Sequence, residues 1–167
     1  KLPKSKGLQI REMFNAASKG KVRSMYVMGA DPIMSEPDTT KVKKALSKLD
    51  FLVVQDIFMS NTAQYADVIL PAACFAEKDG TFTNIERRVQ RVRKTVEPPG
   101  KAKADWNIIS ELSTCMGHPM NYSSPEAIWE EIRKISPNFA GINYQRLNNG
   151  GIQWPCPKAD HPGTKFL

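Results

Sequence analysis

"FLVVQDI", residues 51–57, opens on four apolar residues and ends on an amide, a carboxylate and an isoleucine. A short run rich in β-branched and aromatic residues reads as a buried strand. Upstream, VRSMYVM (22–28) has the same character and stops at Gly29-Ala30-Asp31-Pro32. Downstream, DVIL (67–70) repeats it and stops at Pro71-Ala72-Ala73. Between the first two, residues 38–49 place Val42, Ala45, Leu46 and Leu49 on one helical stripe, with Asp38 as N-cap. Ahead of them, residues 8–18 put Ile10, Met13, Phe14 and Ala17 on another stripe that ends near Gly20. Residues around Asn61–Tyr65 read as one or two helical turns. Continuously apolar strands alternating with amphipathic helices belong in a parallel sheet covered on both faces. The expected fold class is α/β: a Rossmann-like three-layer unit with parallel strands, followed by a mostly helical and irregular C-terminal part.

Open parallel sheets bind ligands beyond the carboxyl ends of their strands. Here those ends are Gly29-Ala30-Asp31-Pro32, Gln55-Asp56 and Pro71-Ala72-Ala73, all small or polar, and two of them offer a carboxylate. Carboxylates accept hydrogen bonds of the kind that guanine N–H groups and ribose hydroxyls donate. Asp31 and Asp56 serve equally well as caps of the turns that follow them. The residues alone leave both readings open.

After the third strand the pattern changes. Glu77, Asp79, Gly80, Thr81, Thr83, Asn84 and Glu86 offer more donors and acceptors than a turn needs, which suggests a loop lining a ligand. RRVQRVRKTVEPPG (87–100) is extended and basic until Pro98-Pro99-Gly100 stops it. Trp106, Ile109, Leu112 and Met116 then line a helix ending at Gly117. Ser124-Pro125-Glu126 opens another, with an expected buried stripe of Ile128, Ile132 and Ile135 and Trp129 beside it. The tail is turn-rich. The expected organisation is an α/β cofactor-binding unit over 1–72, a lining loop and basic segment over 73–104, and helices with an irregular tail over 105–167.

Composition narrows the classes. A net charge of +7 raises nucleic acid as a partner, but acids separate most of the basic groups and only Arg87–Lys94 is dense. No specific nucleic-acid partner is expected. Three scattered cysteines form no CxxC pair and no disulfide framework, which fits a reducing, cytoplasmic compartment. Cys115-x-x-His118 lacks the second pair a metal site needs. No apolar run reaches the length of a membrane span, and Lys1–Lys6 is followed by no apolar signal core.

"ADVILPAACFAEKDGTFTNIERRVQ" (66–90) resembles a segment of the molybdopterin oxidoreductases of the dimethyl sulfoxide reductase superfamily. "MYVMGADP" (25–32), "LVVQDIFMSNTA" (52–63), "KADWNIISELSTCMGHPM" (103–120) and "GGIQWPCP" (150–157) follow the family's order, so the likeness narrows to formate dehydrogenase alpha subunits and covers essentially the whole chain. The resemblance implies two molybdopterin guanine dinucleotides holding one molybdenum or tungsten atom. It implies cofactor contacts at Gly29, Asp31, Ser35, Gln55, Asp56, the backbone of Ala72, and Asp105. Asn84 and Glu86 would instead serve their own loop. Asn61 stands where the family often has a smaller residue.

The departures matter too. The family's N-terminal CxxCxxxC-type motif for a 4Fe-4S cluster is absent, as is the Cys-His or selenocysteine-His pair that ligates the metal. No catalytic residue and no metal ligand is therefore assigned. The resemblance implies a segment of a catalytic subunit that is inactive alone. Its partners would be the rest of that subunit, an electron-transfer subunit and the substrate formate. Two alternatives remain: the related large subunit of respiratory complex I, or a stand-alone basic nucleotide- or nucleic-acid-binding module.

Overall fold

The computed structural model describes residues 4–166, so the basic stretch Lys1–Lys6 lies partly outside the described residues. The chain divides into two compact units, one through Ala72 and the other from Ala73.

In the first unit, α1 (Ile10–Ser18) precedes β1 (Ser24–Met28), α2 (Pro32–Ser35), α3 (Thr39–Leu46), β2 (Phe51–Asp56), a 3-10 turn (Thr62–Tyr65) and β3 (Val68–Pro71). The strands lie in the order β1-β2-β3 and pair in parallel, Ser24 opposite Phe51 and Val53 opposite Val68. The expected cap is present, with the Lys41 amide donating to Asp38 Oδ1 at 2.9 Å. Phe14 and Ala17 of α1, Ile33 of α2, and Val42, Ala45 and Leu46 of α3 form one core with Leu52 and Val54 of β2. Burying side chains such as Leu52 and Val54 contributes about 1.5–3 kcal/mol each.

The α/β class and the parallel pairing agree with the sequence. All three helices share a core with Met25, Val27, Leu52 and Val54, which project from one face of the sheet. On the other face Tyr26, Phe51 and Val68 stay 38–46% exposed. Strand period alone showed that both faces are apolar, but not which of them these helices cover.

The second unit contains a 3-10 turn (Phe75–Glu77), β4 (Gly80–Thr83), β5 (Arg88–Val92), α4 (Asp105–Cys115), α5 (Pro125–Ile135), a second 3-10 turn (Pro137–Phe139), α6 (Tyr144–Leu147) and β6 (Ile152–Gln153). Its sheet is antiparallel in the order β4-β5-β6. The polar run after β3 is therefore mostly a hairpin, and its polar groups largely serve the chain itself. Glu77 Oε2 accepts from the Cys74 amide, Asp79 Oδ1 from Lys94, and Asn84 Oδ1 from Arg88, while Arg87 adopts the left-handed φ of 63° in the turn.

The basic segment is similarly absorbed. The Arg87 guanidinium donates to the carbonyls of Trp154, Thr164 and Lys165, and Arg88 Nη1 to that of Gly151. Arg91 lies 3.7 Å over the Tyr144 ring, and Arg93 donates to Asn148 Oδ1. Burial pushes the Tyr144 phenol above its ordinary value, against the pull of Arg91.

The two long helices turn different sides inward from those the apolar stripes suggested. In α4, Ile108 is buried while Ile109, Leu112 and Met116 are 37–70% exposed. In α5, Trp129 is 6% exposed whereas Ile132 and Ile135 reach 36% and 72%. The reason lies after α5. Trp129 Nε1 donates to the Ile142 carbonyl at 2.6 Å, and Arg133, one turn along, donates to the Ala140 carbonyl. Those anchors fix the helix by its Trp129–Arg133 side.

Gly141 in this same bend donates its amide to the Cys156 carbonyl. A Cβ there would lie 2.0 Å from the Lys158 carbonyl oxygen and 2.8 Å from that of Cys156. Both neighbours are backbone and cannot rotate away. Gly141→Ala is expected to cost about 1–3 kcal/mol or more, as overpacked sites do, seen as a lower urea midpoint.

Candidate functional site

The carboxyl ends of the parallel strands lead into the β1–α2 turn, the end of β2 and the end of β3. Gly29 holds φ +60°, donates its amide to the Gln55 carbonyl, and has nothing within 4 Å of an added Cβ. That open space lets another group approach the backbone closely. Ser35 closes α2 with an exposed side chain.

Asp31 is the most heavily engaged of the groups at these strand ends. Its Oδ2 accepts from the backbone and side-chain nitrogens of Asn61 at 3.0 and 3.2 Å. Its Oδ1 accepts from the Thr62 amide at 3.2 Å and the Thr62 hydroxyl at 2.6 Å. The carboxylate thus ties the β1 turn to the start of the 3-10 turn some thirty residues later. Burial works to raise its pKa, but the bonds from Thr62 and Asn61 together outweigh that and hold it below the usual carboxylate value. Asn61 thus adds a bond to Asp31 through its side-chain amide.

Asp56 differs. Its carboxylate is only partly buried, and Oδ1 accepts at 2.7 Å from the amide of the next residue, Ile57. Its backbone carbonyl accepts from the Ala72 amide at 3.0 Å, so the N–H of Ala72 is engaged within the sheet end. Gln55 is fully buried, and its Oε1 accepts from the Tyr26 hydroxyl.

Gly29, Asp31, Ser35, Gln55, Asp56 and Ala72 thus all belong to the first unit, at or beside the strand ends. Asp105 belongs to the second, at the first position of α4, where it forms an ion pair with Lys78 Nζ. Tyr26 and Thr62 escaped the sequence reading. Thr62 is fully buried and also accepts from the Ile33 amide at 3.4 Å. Its presence in the "SNTA" stretch was the only signal, and no spacing rule links it to Asp31. Among the described residues no three His, Cys, Asp or Glu side chains gather as metal ligands, and no helix is long and apolar enough to cross a membrane.

A three-stranded parallel sheet packed against helices defines an α/β protein. The sequence of residues 1–115 matches the molybdopterin oxidoreductase family model, and the chain belongs to that family. It is 55% identical over 163 residues to the F420-dependent formate dehydrogenase subunit alpha of Methanocaldococcus jannaschii, covering 96% of this chain and 24% of that protein. It is 44% identical over 170 residues to the assimilatory nitrate reductase catalytic subunit of Bacillus subtilis, covering 97% of this chain and 24% of that one. The acetylene hydratase of Pelobacter acetylenicus shares the fold, with a TM-score of 0.68 at 24% identity over 86% of this chain and 20% of that one. The chain spans about a quarter of the length of the curated relatives it matches.

Proposed function

We propose that this chain is the guanine-dinucleotide-binding segment of the catalytic subunit of a formate dehydrogenase, and that it acts as part of a longer polypeptide. The observation that carries this is the 55% identity to a formate dehydrogenase alpha subunit, spread over 96% of the chain. The nitrate reductase relative follows at 44%, so nitrate reduction is the second reading.

The donor set at the strand ends suits the cofactor. Asp56 and Ser35 are hydrogen-bonding groups for guanine and ribose, and Gly29 admits a close backbone approach. Asp105, in the second unit, is a separate candidate carboxylate held by Lys78, and Gln55 fixes the end of β2 from within. Asp31 acts chiefly by shaping the crevice, because four hydrogen bonds from Asn61 and Thr62 already engage it. When bound, the molybdenum or tungsten centre supplies the two-electron chemistry of formate oxidation to carbon dioxide. The residues of this chain bind and orient the nucleotide end, far in kind from a metal ligand or a proton-transfer group. Iron–sulfur chemistry, the metal ligand and the electron-transfer partner belong to the remainder of the assembly. The isolated chain is expected to be inactive, and its cysteine pattern suits the cytoplasm.

The test is to purify the longer polypeptide, extract it with acid, and identify the released pterin and metal by mass spectrometry. Reduction of an oxidised dye by formate and, separately, oxidation of a reduced dye by nitrate are then measured. Guanine dinucleotide with formate-dependent dye reduction is the expected result. Nitrate-dependent oxidation of reduced dye without formate activity would transfer the assignment to the second reading.

A further inference from the structure

The hairpin of the second unit leaves one strand edge open. Among the described residues β4 pairs with β5 alone, at the end of the sheet order β4-β5-β6. Asn84, opposite Arg88, donates its amide to the Arg88 carbonyl at 3.1 Å. Antiparallel pairs alternate between bonded and non-bonded, so Phe82 and Gly80 direct their backbone groups at β5. Thr81 and Thr83 direct theirs outward. Two N–H and two C=O groups thus form an unoccupied template for another strand.

Exposed edges are usually guarded by a charge, a proline or a bulge. Gly80-Thr81-Phe82-Thr83 has none of these, and two of its residues are strongly strand-forming threonines. Beside it runs a cleft of about 250 Å³, bounded by Lys78–Phe82 on one side and by Trp106, Ile128 and Ile132 on the other. That volume suits one or two apolar side chains. Phe82 of β4 and Ile132 of α5, which line it, are 52% and 36% exposed. A strand added at β4 places alternate side chains over the cleft, the arrangement by which sheet edges capture extended segments.

We infer that the β4 edge and its cleft receive an extended, apolar segment supplied by the same longer polypeptide, which adds as a further strand beside Thr81 and Thr83. The occupant is assigned to the same polypeptide because the relatives extend to about four times the length of this chain. This rests on the longer polypeptide of the proposed function, but on neither its substrate nor its cofactor.

Backbone hydrogen exchange tests it directly. In the 167-residue chain alone, the Thr81 and Thr83 amides are expected to exchange quickly while those of Phe82 and Asn84 are protected. In the longer polypeptide, Thr81 and Thr83 are expected to slow by about 100-fold or more, as amides in a closed ladder do. Thr81→Pro supplies a second arm, since proline is tolerated where the lost N–H faces outward from an edge strand. It is expected to leave the melting temperature of the short chain unchanged and to lower that of the longer polypeptide. Equal exchange in both forms would overturn the inference, as would protection that appears in the short chain only as its concentration rises, which assigns the edge to a second copy. A native gene product with the mass of the short chain would overturn it as well. Loss of formate activity with edge protection intact would count against the proposed function and leave this inference standing.

Discussion

Trp129→Ala is expected to destabilise the second unit by about 3–5 kcal/mol, the range for removing a large buried aromatic side chain. Three losses combine there. The indole is 6% exposed within a cluster of Val89, Ile142, Tyr144, Leu147, Ile152 and Cys156, so its removal opens a cavity that these neighbours fill only in part. The Ile142 carbonyl loses the donor that Trp129 Nε1 provides at 2.6 Å, and a buried acceptor left unpaired costs about 1–3 kcal/mol. The edge-on contact between Trp129 and Phe139, with centroids 5.6 Å apart, disappears as well. Domains are stable by only about 5–15 kcal/mol, so the variant is expected to lose its cooperative transition or shift it far down in urea. The companion Ile135→Ala removes a side chain that is 72% exposed and is expected to stay within about 0.5 kcal/mol of the parent. Far-UV circular dichroism during urea unfolding reads both. A larger loss for Ile135 than for Trp129 would restore the isoleucine stripe as the buried face of α5.

That contrast shows where the sequence was legible. In the first unit each strand is apolar along its length and each longer helix carries one stripe, so period, cap and order all point to a parallel α/β unit. Asp38 and Ser124 cap as their positions predicted, because a cap is a contact three residues long. In the second unit the decisive contacts are distant. The side of α5 that faces inward is chosen by carbonyls at Ala140 and Ile142, and the hairpin partners of Thr81 and Phe82 are disguised by a run of arginines. Those arginines read as a charged surface. In fact Arg87, Arg88 and Arg91 use their charge and planar faces on carbonyls and on the Trp154 and Tyr144 rings. The positions of the strand ends were legible, but the different engagements of Asp31 and Asp56 were not, since the groups that bond Asp31 lie thirty residues downstream.

Those duties separate under substitution. Asp31→Ala strips the partner from Thr62, a fully buried residue whose amide and hydroxyl both donate to it, and from Asn61. Unpairing such donors costs about 1–3 kcal/mol, so the variant is expected to melt lower, and any cofactor loss follows from a loosened crevice. Its acid behaviour gives an independent sign. The folded-state pKa of Asp31 is lowered, so its contribution is fully present above the ordinary carboxylate value of about 3.9. That contribution is lost as pH falls through the lower folded value. Asp31→Asn is expected to flatten this part of the stability profile. Asp56 presents the opposite case. Its side chain holds a local bond to the Ile57 amide, and removing it is expected to change stability by less than about 1 kcal/mol. A hydrogen bond from a ligand to a carboxylate is worth about 1.5–3 kcal/mol, so Asp56→Ala in the longer polypeptide is expected to weaken dinucleotide retention about 10- to 100-fold. Pterin and metal per polypeptide, set beside the melting temperature of each variant, read the two effects apart. An Asp56→Ala protein that keeps its full dinucleotide complement would remove this carboxylate from the site. An Asp31→Ala protein of unchanged stability and depleted cofactor would make Asp31 the nucleotide contact instead.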